Sequence, residues 1–261
     1  LYDIDALVLG NHEFDYSQYS LDSALKLAKF DVLSANVFMS SKNSLMGKPN
    51  VIKTINGVKF GIIGITLPEL FTTSLPLNVT DLVMLNTDSV IQAGITELKA
   101  QNTDVIILLT HAGLDADKEL AAKFFADVDI IVGGHSHTTL FKPVRVSGVV
   151  IVQAGSYGRN LGKLDLKIDT DKDTVINSSG ILIETVLDSS ITNKPAQQIA
   201  DNMIAEYMPE LSKVIGTLET DGRAGYGDES NLGQFEADAF KNKTGADIGF
   251  VNGGGLRKSL F

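Results

Sequence analysis

Cysteine is absent from the 261 residues. That absence removes disulfides, thiolate metal sites and thiol nucleophiles together, but it selects no compartment, because secreted bacterial proteins also do without cysteine. Cations are scarce: 22 Lys and Arg stand against 32 Asp and Glu, a formal charge of −10. Binding to a nucleic-acid polymer draws on clustered cations, so this balance argues against that class of partner. Long apolar runs are missing as well. Stretches such as Val105 to Leu109 are core-strand length, far short of the roughly 20 residues of a membrane helix, and no membrane span is expected. Nor does the chain open on an initiator Met or a signal peptide; it begins at Leu1 and ends on the apolar Leu260 and Phe261, which reads as an excerpt from a longer protein.

What is present is a folded composition, 44% hydrophobic and 21% charged, which excludes disorder. Short β-branched runs bounded by turn residues alternate with amphipathic stretches, the pattern of an α/β sandwich. Strands are expected at 5–9, 31–36, 104–109, 128–132 and 149–154, and a hairpin where Asn56-Gly57 separates Val51 to Ile55 from Val58 to Ile63. Helical spacing runs from Ser17 to Phe30 through Leu21 and Leu25, and from Asp88 to Lys99 through Ile91, Ile95 and Leu98. Composition shifts after residue 185: Ser189, Ser190, Thr192 and Asn193 precede Pro195 and a ridge of Ile199, Met203 and Tyr207, which predicts a linker helix. Beyond it, strands are expected at Ile215 to Leu218 and Asp247 to Val251, with Ser230 capping a helix between them. This last region is too small to bury a core of its own.

Each of the four histidines lies just past the carboxyl end of an expected strand: His12, His111, and His135 with His137. In open α/β sheets that edge is where ligands bind. In Gly133-Gly134-His135-Ser136-His137 two imidazoles stand two residues apart after glycines, so both rings can face one or two cations, and Asn11 beside His12 offers an amide oxygen. Nitrogen and oxygen donors without sulfur suit Zn, Mn, Fe, Co or Mg. Metal-assisted hydrolysis is the chemistry such a set supports. Asp115 and Asp117, after His111, are either carboxylates behind the site or acids of the first turn of the following helix, and the macrodipole there favours the second reading. Gly253 to Gly255 is not a dinucleotide fingerprint, since no βαβ unit follows it, and Ser136 and Ser156 lack an ordered His/Asp partner.

Four motifs in order, Gly10-Asn11-His12-Glu13-Phe14-Asp15, Thr110-His111-Ala112-Gly113, Gly133 to His137, and Asn252-Gly253-Gly254-Gly255-Leu256-Arg257, resemble the 5′-nucleotidase family of two-domain calcineurin-like metallophosphoesterases. Ser34-Ala35-Asn36-Val37 and Gln153 to Gly158 extend the resemblance over nearly the whole chain. The family implies a four-layer α/β sandwich of two mixed sheets flanked by helices. Here it would be incomplete, spanning 1–188, with a linker helix at 189–212 and the start of a smaller α/β substrate-binding domain at 213–261. It further implies Asn11, His111 and His135 as ligands of one divalent metal and His137 facing a second. His12 becomes the histidine that stabilises charge on the phosphoryl group, held by Asp15, while Asn252 and Arg257 would contact substrate.

The departures are informative too. The family's Asp-x-His and Gly-Asp ligands precede Asn-His-Glu, and here only Asp3 and Asp5 do, so this chain alone retains at most one and a half metal sites. Tyr226, Gly227 and Asp228 stand before Glu229 where the family tends to place a basic residue, and its base-stacking aromatics would lie past Phe261. The resemblance implies hydrolysis of nucleotide phosphomonoesters by metal-activated water in the intact protein, with two divalent ions, little activity in these residues alone, and a periplasmic, cell-wall or extracellular setting. The alternatives are a phosphodiesterase of nucleotide sugars or cyclic nucleotides, or a non-catalytic nucleotide- or metal-binding module. Oligomeric state is not legible.

Overall fold

The computed structural model describes residues 4–171, 173–186, 193–210 and 213–261. Chain contacts divide it into two compact units, Leu1–Ser190 and Ile191–Phe261. In the first, the strands are β1 (Ala6–Val8), β2 (Asp31–Leu33), β3 (Val37–Met39), β4 (Ser44–Leu45), β5 (Asn50–Ile55), β6 (Val58–Thr66), β7 (Leu82–Met84), β8 (Val105–His111), β9 (Ile130–Val132), β10 (Val144–Val146), β11 (Val149–Val152), β12 (Asn160–Asp169) and β13 (Thr174–Glu184). Its helices are α1 (Gln18–Leu25), α2 (Leu70–Thr73), α3 (Thr87–Ala100) and α4 (Leu114–Phe124).

Six strands form one mixed sheet in the order β10-β11-β9-β8-β6-β5. Its four central strands, β11, β9, β8 and β6, run parallel, so their carboxyl ends share one edge. The antiparallel β5 joins through the expected hairpin, where Asn56 and Gly57 both take positive φ, 52° and 87°. The other strands fall in three small sheets: β1 parallel to β2, β4-β3-β7, and the long hairpin β12-β13.

Side-chain alternation along β8 builds the layers. Ile106 and Leu108 face one way and pack with Ile91, Ile95 and Leu98 of α3 and Leu120 and Phe124 of α4. Val105 and Ile107 face the other way, against Leu164, Leu166, Ile168 and Val175 of the β12-β13 hairpin. Both faces are covered, which is why the run reads as continuously apolar. A separate core gathers Leu9, Phe14, Leu21, Val37, Met39, Leu67 and Leu70 around the turn after β1. By the same period of two, Thr110 continues the helix side of β8 and His111 the opposite side.

The expected strand at 31–36 stops at Leu33. Buried Asn36 explains the break: its amide accepts from Thr66 N–H (3.0 Å) and donates to Thr66 C=O (2.7 Å), replacing main-chain pairing with a side chain. The helix expected to Phe30 ends at Leu25, beyond which the chain tightens into i to i+3 turns.

The second unit contains α5 (Lys194–Tyr207), capped by Asn193, and α6 (Asn231–Thr244), capped by Ser230, whose hydroxyl accepts from Gly233 N–H at 3.2 Å. Ser189, Ser190 and Thr192 lie outside the described residues. Neither strand expected here forms: among the described residues the only pairing in this unit is an isolated antiparallel bridge between Gly222 and Leu260. Residues 215–218 and 247–251 find no neighbouring strand, and the second was expected to be buried, yet Ile215 is 95% and Phe250 86% exposed. β-branched composition favours a pleated, half-buried surface only where a partner supplies one.

Candidate functional site

Three loops meet at the carboxyl edge of the parallel strands. The first follows β1. Phe14, fully buried, anchors a 3-10 turn over His12–Phe14, and Glu13 accepts from Gly10 N–H at 2.6 Å to close the loop. Gly10 has a steric reason to be glycine, since a Cβ there would lie 2.7 Å from the His111 ring. Asn11 is buried; its amide N–H points to Thr73 C=O of α2 at 3.5 Å, turning Oδ1 towards His111. His12 is half-exposed, its Nδ1 2.9 Å from Asp15 Oδ2. With the carboxylate ionised the ring nitrogen donates, which fixes the tautomer.

The second loop begins at His111, the last residue of β8, whose Nε2 lies 3.1 Å from Asn11 Oδ1 across one hundred residues of chain. The third carries His135, whose ring centroid is 5.1 Å from that of His111 at an interplanar angle of 60°. His135 and His137 both sit in the left-handed region, with φ of 70° and 56°, a conformation uncommon for residues other than glycine and one that surrounding structure must hold. Gln153, buried at the end of β11, does so: its amide donates to Gly134 C=O (2.7 Å) and accepts from Thr138 N–H (2.6 Å) and Ser136 Oγ (3.0 Å).

Burial, with help from the neighbouring imidazoles His135, His12 and His137, pushes the His111 pKa down to about 4. Burial likewise lowers His135, with His137 adding to the shift and Glu69 opposing it. Both rings are therefore neutral at neutral pH, the form whose lone pair can bind a cation.

Of the residues read from the sequence, Asn11, His111 and His135 are thus brought together, and His12 stands with Asp15. His137 is close enough to affect both neighbours, but its own ring packs edge-on to Tyr157 at 5.8 Å. Asn252 and Arg257 belong to the second unit and are exposed; Asn252 Oδ1 accepts from Gly254 N–H at 3.0 Å, capping the Gly253–Gly255 turn. Asp3 lies outside the described residues and Asp5 is exposed.

The two acids after His111 both read as first-turn acids in the sequence. Asp115 behaves as a solvated first-turn acid, paired with Lys118. Asp117 does not. It is wholly buried, accepts from Thr110 Oγ–H at 2.6 Å, and its second oxygen has no hydrogen-bond partner. A Cβ at Gly133 would overlap that oxygen. Asp117 thereby links the end of β8, one residue before His111, to the glycines that precede His135. The available signal was the alternation that turns Thr110 towards α4.

Asn11 Oδ1 and the rings of His111 and His135 are a mixed oxygen and nitrogen donor set of the kind that borderline divalent cations accept. It is not a complete set. Among the described residues no group of three or more His, Cys, Asp or Glu is arranged to hold a metal.

An α/β sheet with its histidines gathered at the carboxyl edge of the parallel strands places the molecule among α/β folds that bind their ligands at that edge. The chain belongs to the calcineurin-like phosphoesterase family, whose model matches residues 2–139. That family uses divalent metals. Residues 214–261 match the 5′-nucleotidase C-terminal domain. A 5′-nucleotidase of Bos taurus is 32% identical over 98% of this chain and 50% of its own length, and Protein UshA of Escherichia coli is 28% identical over 98% and 55%. The crystal structure of a 5′-nucleotidase precursor from Thermus thermophilus superposes with a TM-score of 0.84 at 28% identity, covering 98% of this chain and 55% of that one. The chain spans about half the length of the curated relatives it matches. No helix among the described residues is long and apolar enough to cross a membrane.

Proposed function

We propose that the protein is a metal-dependent 5′-nucleotidase, hydrolysing a nucleotide phosphomonoester to nucleoside and phosphate. One observation carries this reading: the 3.1 Å approach of His111 Nε2 to Asn11 Oδ1 with the His135 ring beside it, three donors from three loops that meet beyond the carboxyl ends of β1, β8 and β9. Likeness to the 5′-nucleotidases over 98% of the chain supports the substrate class.

In this reading Asn11, His111 and His135 hold a divalent cation, His137 faces a second, and the ions are drawn from Zn, Mn, Mg, Fe and Co. Bound metal supplies Lewis-acid charge to the phosphoryl oxygens and acidifies water. The chain's own residues position and shuttle protons. His12, its Nδ1 committed to Asp15, stabilises charge on the phosphoryl group and passes a proton to the departing alcohol. Asn252 and Arg257 contact substrate, the guanidinium suiting an anionic oxygen pair. Because no group of three or more His, Cys, Asp or Glu among the described residues is arranged to hold a metal, these 261 residues by themselves are expected to turn over far more slowly than a complete enzyme. The same likeness supports a periplasmic, cell-wall or extracellular setting, which cell fractionation tests.

Phosphate release from AMP by the full-length protein, with Mn or Zn added, tests the assignment. Turnover abolished by chelation and lowered about 10² to 10⁴-fold in His12→Ala is expected. A metal-saturated protein that releases no phosphate would instead favour the non-catalytic binding module.

A further inference from the structure

Beyond the histidines, the edge carries an aromatic and a cation that the reading above leaves unused. The loop from β11 to β12 is pinned to the His135 loop by Gly155 N–H, which donates to Thr138 C=O at 3.0 Å, and is closed on itself by Asn160, which donates to Ala154 C=O at 3.2 Å. From it projects Tyr157, 63% exposed, its ring edge-on to His137 at 5.8 Å. The Arg159 guanidinium lies over the same ring, 5.5 Å from its centroid. The chain of contact therefore runs from His137 through Tyr157 to Arg159.

The exposed guanidinium of Arg159 meets no carboxylate within ion-pair distance among the described residues. Arg223 by contrast has Asp221 at 3.9 Å, and Arg145 donates to Gly148 C=O and Ser178 Oγ. The backbone around Arg159 is held at both its N–H, which donates to Ser156 C=O (3.2 Å), and its C=O, which accepts from Thr185 N–H (2.9 Å). A guanidinium packed against an aromatic face keeps its rim of N–H donors available for a planar or tetrahedral anion, and little freedom remains to be lost on binding.

We infer that Tyr157 and Arg159 form an anion subsite beside the histidine cluster, taking a second, non-reacting phosphoryl group of the substrate. This rests on the phosphoester reading of that cluster. It makes Arg159 a determinant of selectivity for substrates with two phosphates, nucleoside diphosphates above all, over monophosphates. No bond forms or breaks at the subsite; the guanidinium binds and orients.

The test compares ADP with AMP as substrates of the full-length protein and its Arg159→Ala, Arg159→Lys and Tyr157→Leu variants. The ratio of kcat/KM for ADP over AMP should fall about tenfold in Arg159→Ala, mainly through KM for ADP, in keeping with the loss of a charge-assisted hydrogen-bonded pair. Lys should restore part of the ratio, since it keeps charge but not the fork, and Tyr157→Leu should lower it in the same direction. Equilibrium binding of inorganic pyrophosphate, weakened about tenfold in Arg159→Ala, gives a readout that needs no turnover. An unchanged ratio together with unchanged pyrophosphate binding overturns the subsite. Absence of any metal-dependent phosphate release from the unmodified protein overturns the nucleotidase reading instead, and pyrophosphate binding still decides the role of Arg159.

Discussion

Asp117 shows what a single buried carboxyl does to this fold. Burial pushes its pKa up to about 6, only partly opposed by the hydrogen bond from Thr110. Its folded pKa thus exceeds the unfolded value near 3.8, so the fold favours the neutral form. The contribution of the neutral group is complete below about pH 3.8 and is lost as pH rises towards 6, about 3 kcal/mol in all. Asp117→Asn removes the titration while leaving an oxygen to accept from Thr110. Urea unfolding of both proteins at about pH 4 and about pH 7.5 should show the variant gaining about 2 kcal/mol on the wild type over that interval. A difference that does not change with pH would mean the carboxyl titrates normally.

Elements follow from alternation where a partner exists. The continuous apolar run of β8 separates into two faces, and both find cover, one under α3 and α4 and the other under the β12-β13 hairpin. Leu98 illustrates the helix side: fully buried on α3, it sits where a Cβ on Gly61 of β6 would come within 2.7 Å of its methyl. Leu98→Ala should cost about 3 kcal/mol in chemical denaturation, because sheet and helix cannot close the cavity by local movement. A loss below about 1 kcal/mol would show that the layer is loosely packed.

The same alternation explains what was legible in advance. The central strands, the Asn56-Gly57 hairpin and the Ser230 cap depend on local chemistry that the sequence displays. The strands at 215–218 and 247–251 depended on neighbours, which a run such as Ile248 to Val251 cannot reveal. At the site, the four histidines were readable from their places after strands, and the Asp15 to His12 bond from the family resemblance. Gln153 as the clasp of the His135 loop and Asp117 as the link beneath it were not, because both act through contacts made only once β8, β9, β11 and α4 are stacked.

At the scale of the whole molecule, the first unit contributes a sheet edge and three loops, and the chain matches about half the length of its curated relatives. The acidic charge of −10 makes a cation at that edge favourable at long range. Residues as distant as Asn11 and His111 meet only because β1 packs against β6 and β8. The site is thus a property of the assembled layers, and the claim that it is a cation site concerns the fold as much as the donors. Anomalous diffraction from crystals of the protein grown with Mn or Zn tests it most directly. A peak within about 2.0 to 2.2 Å of Asn11 Oδ1 and of a ring nitrogen in both His111 and His135 is the expected result. Metal-saturated crystals in which every peak lies away from these three residues would contradict it.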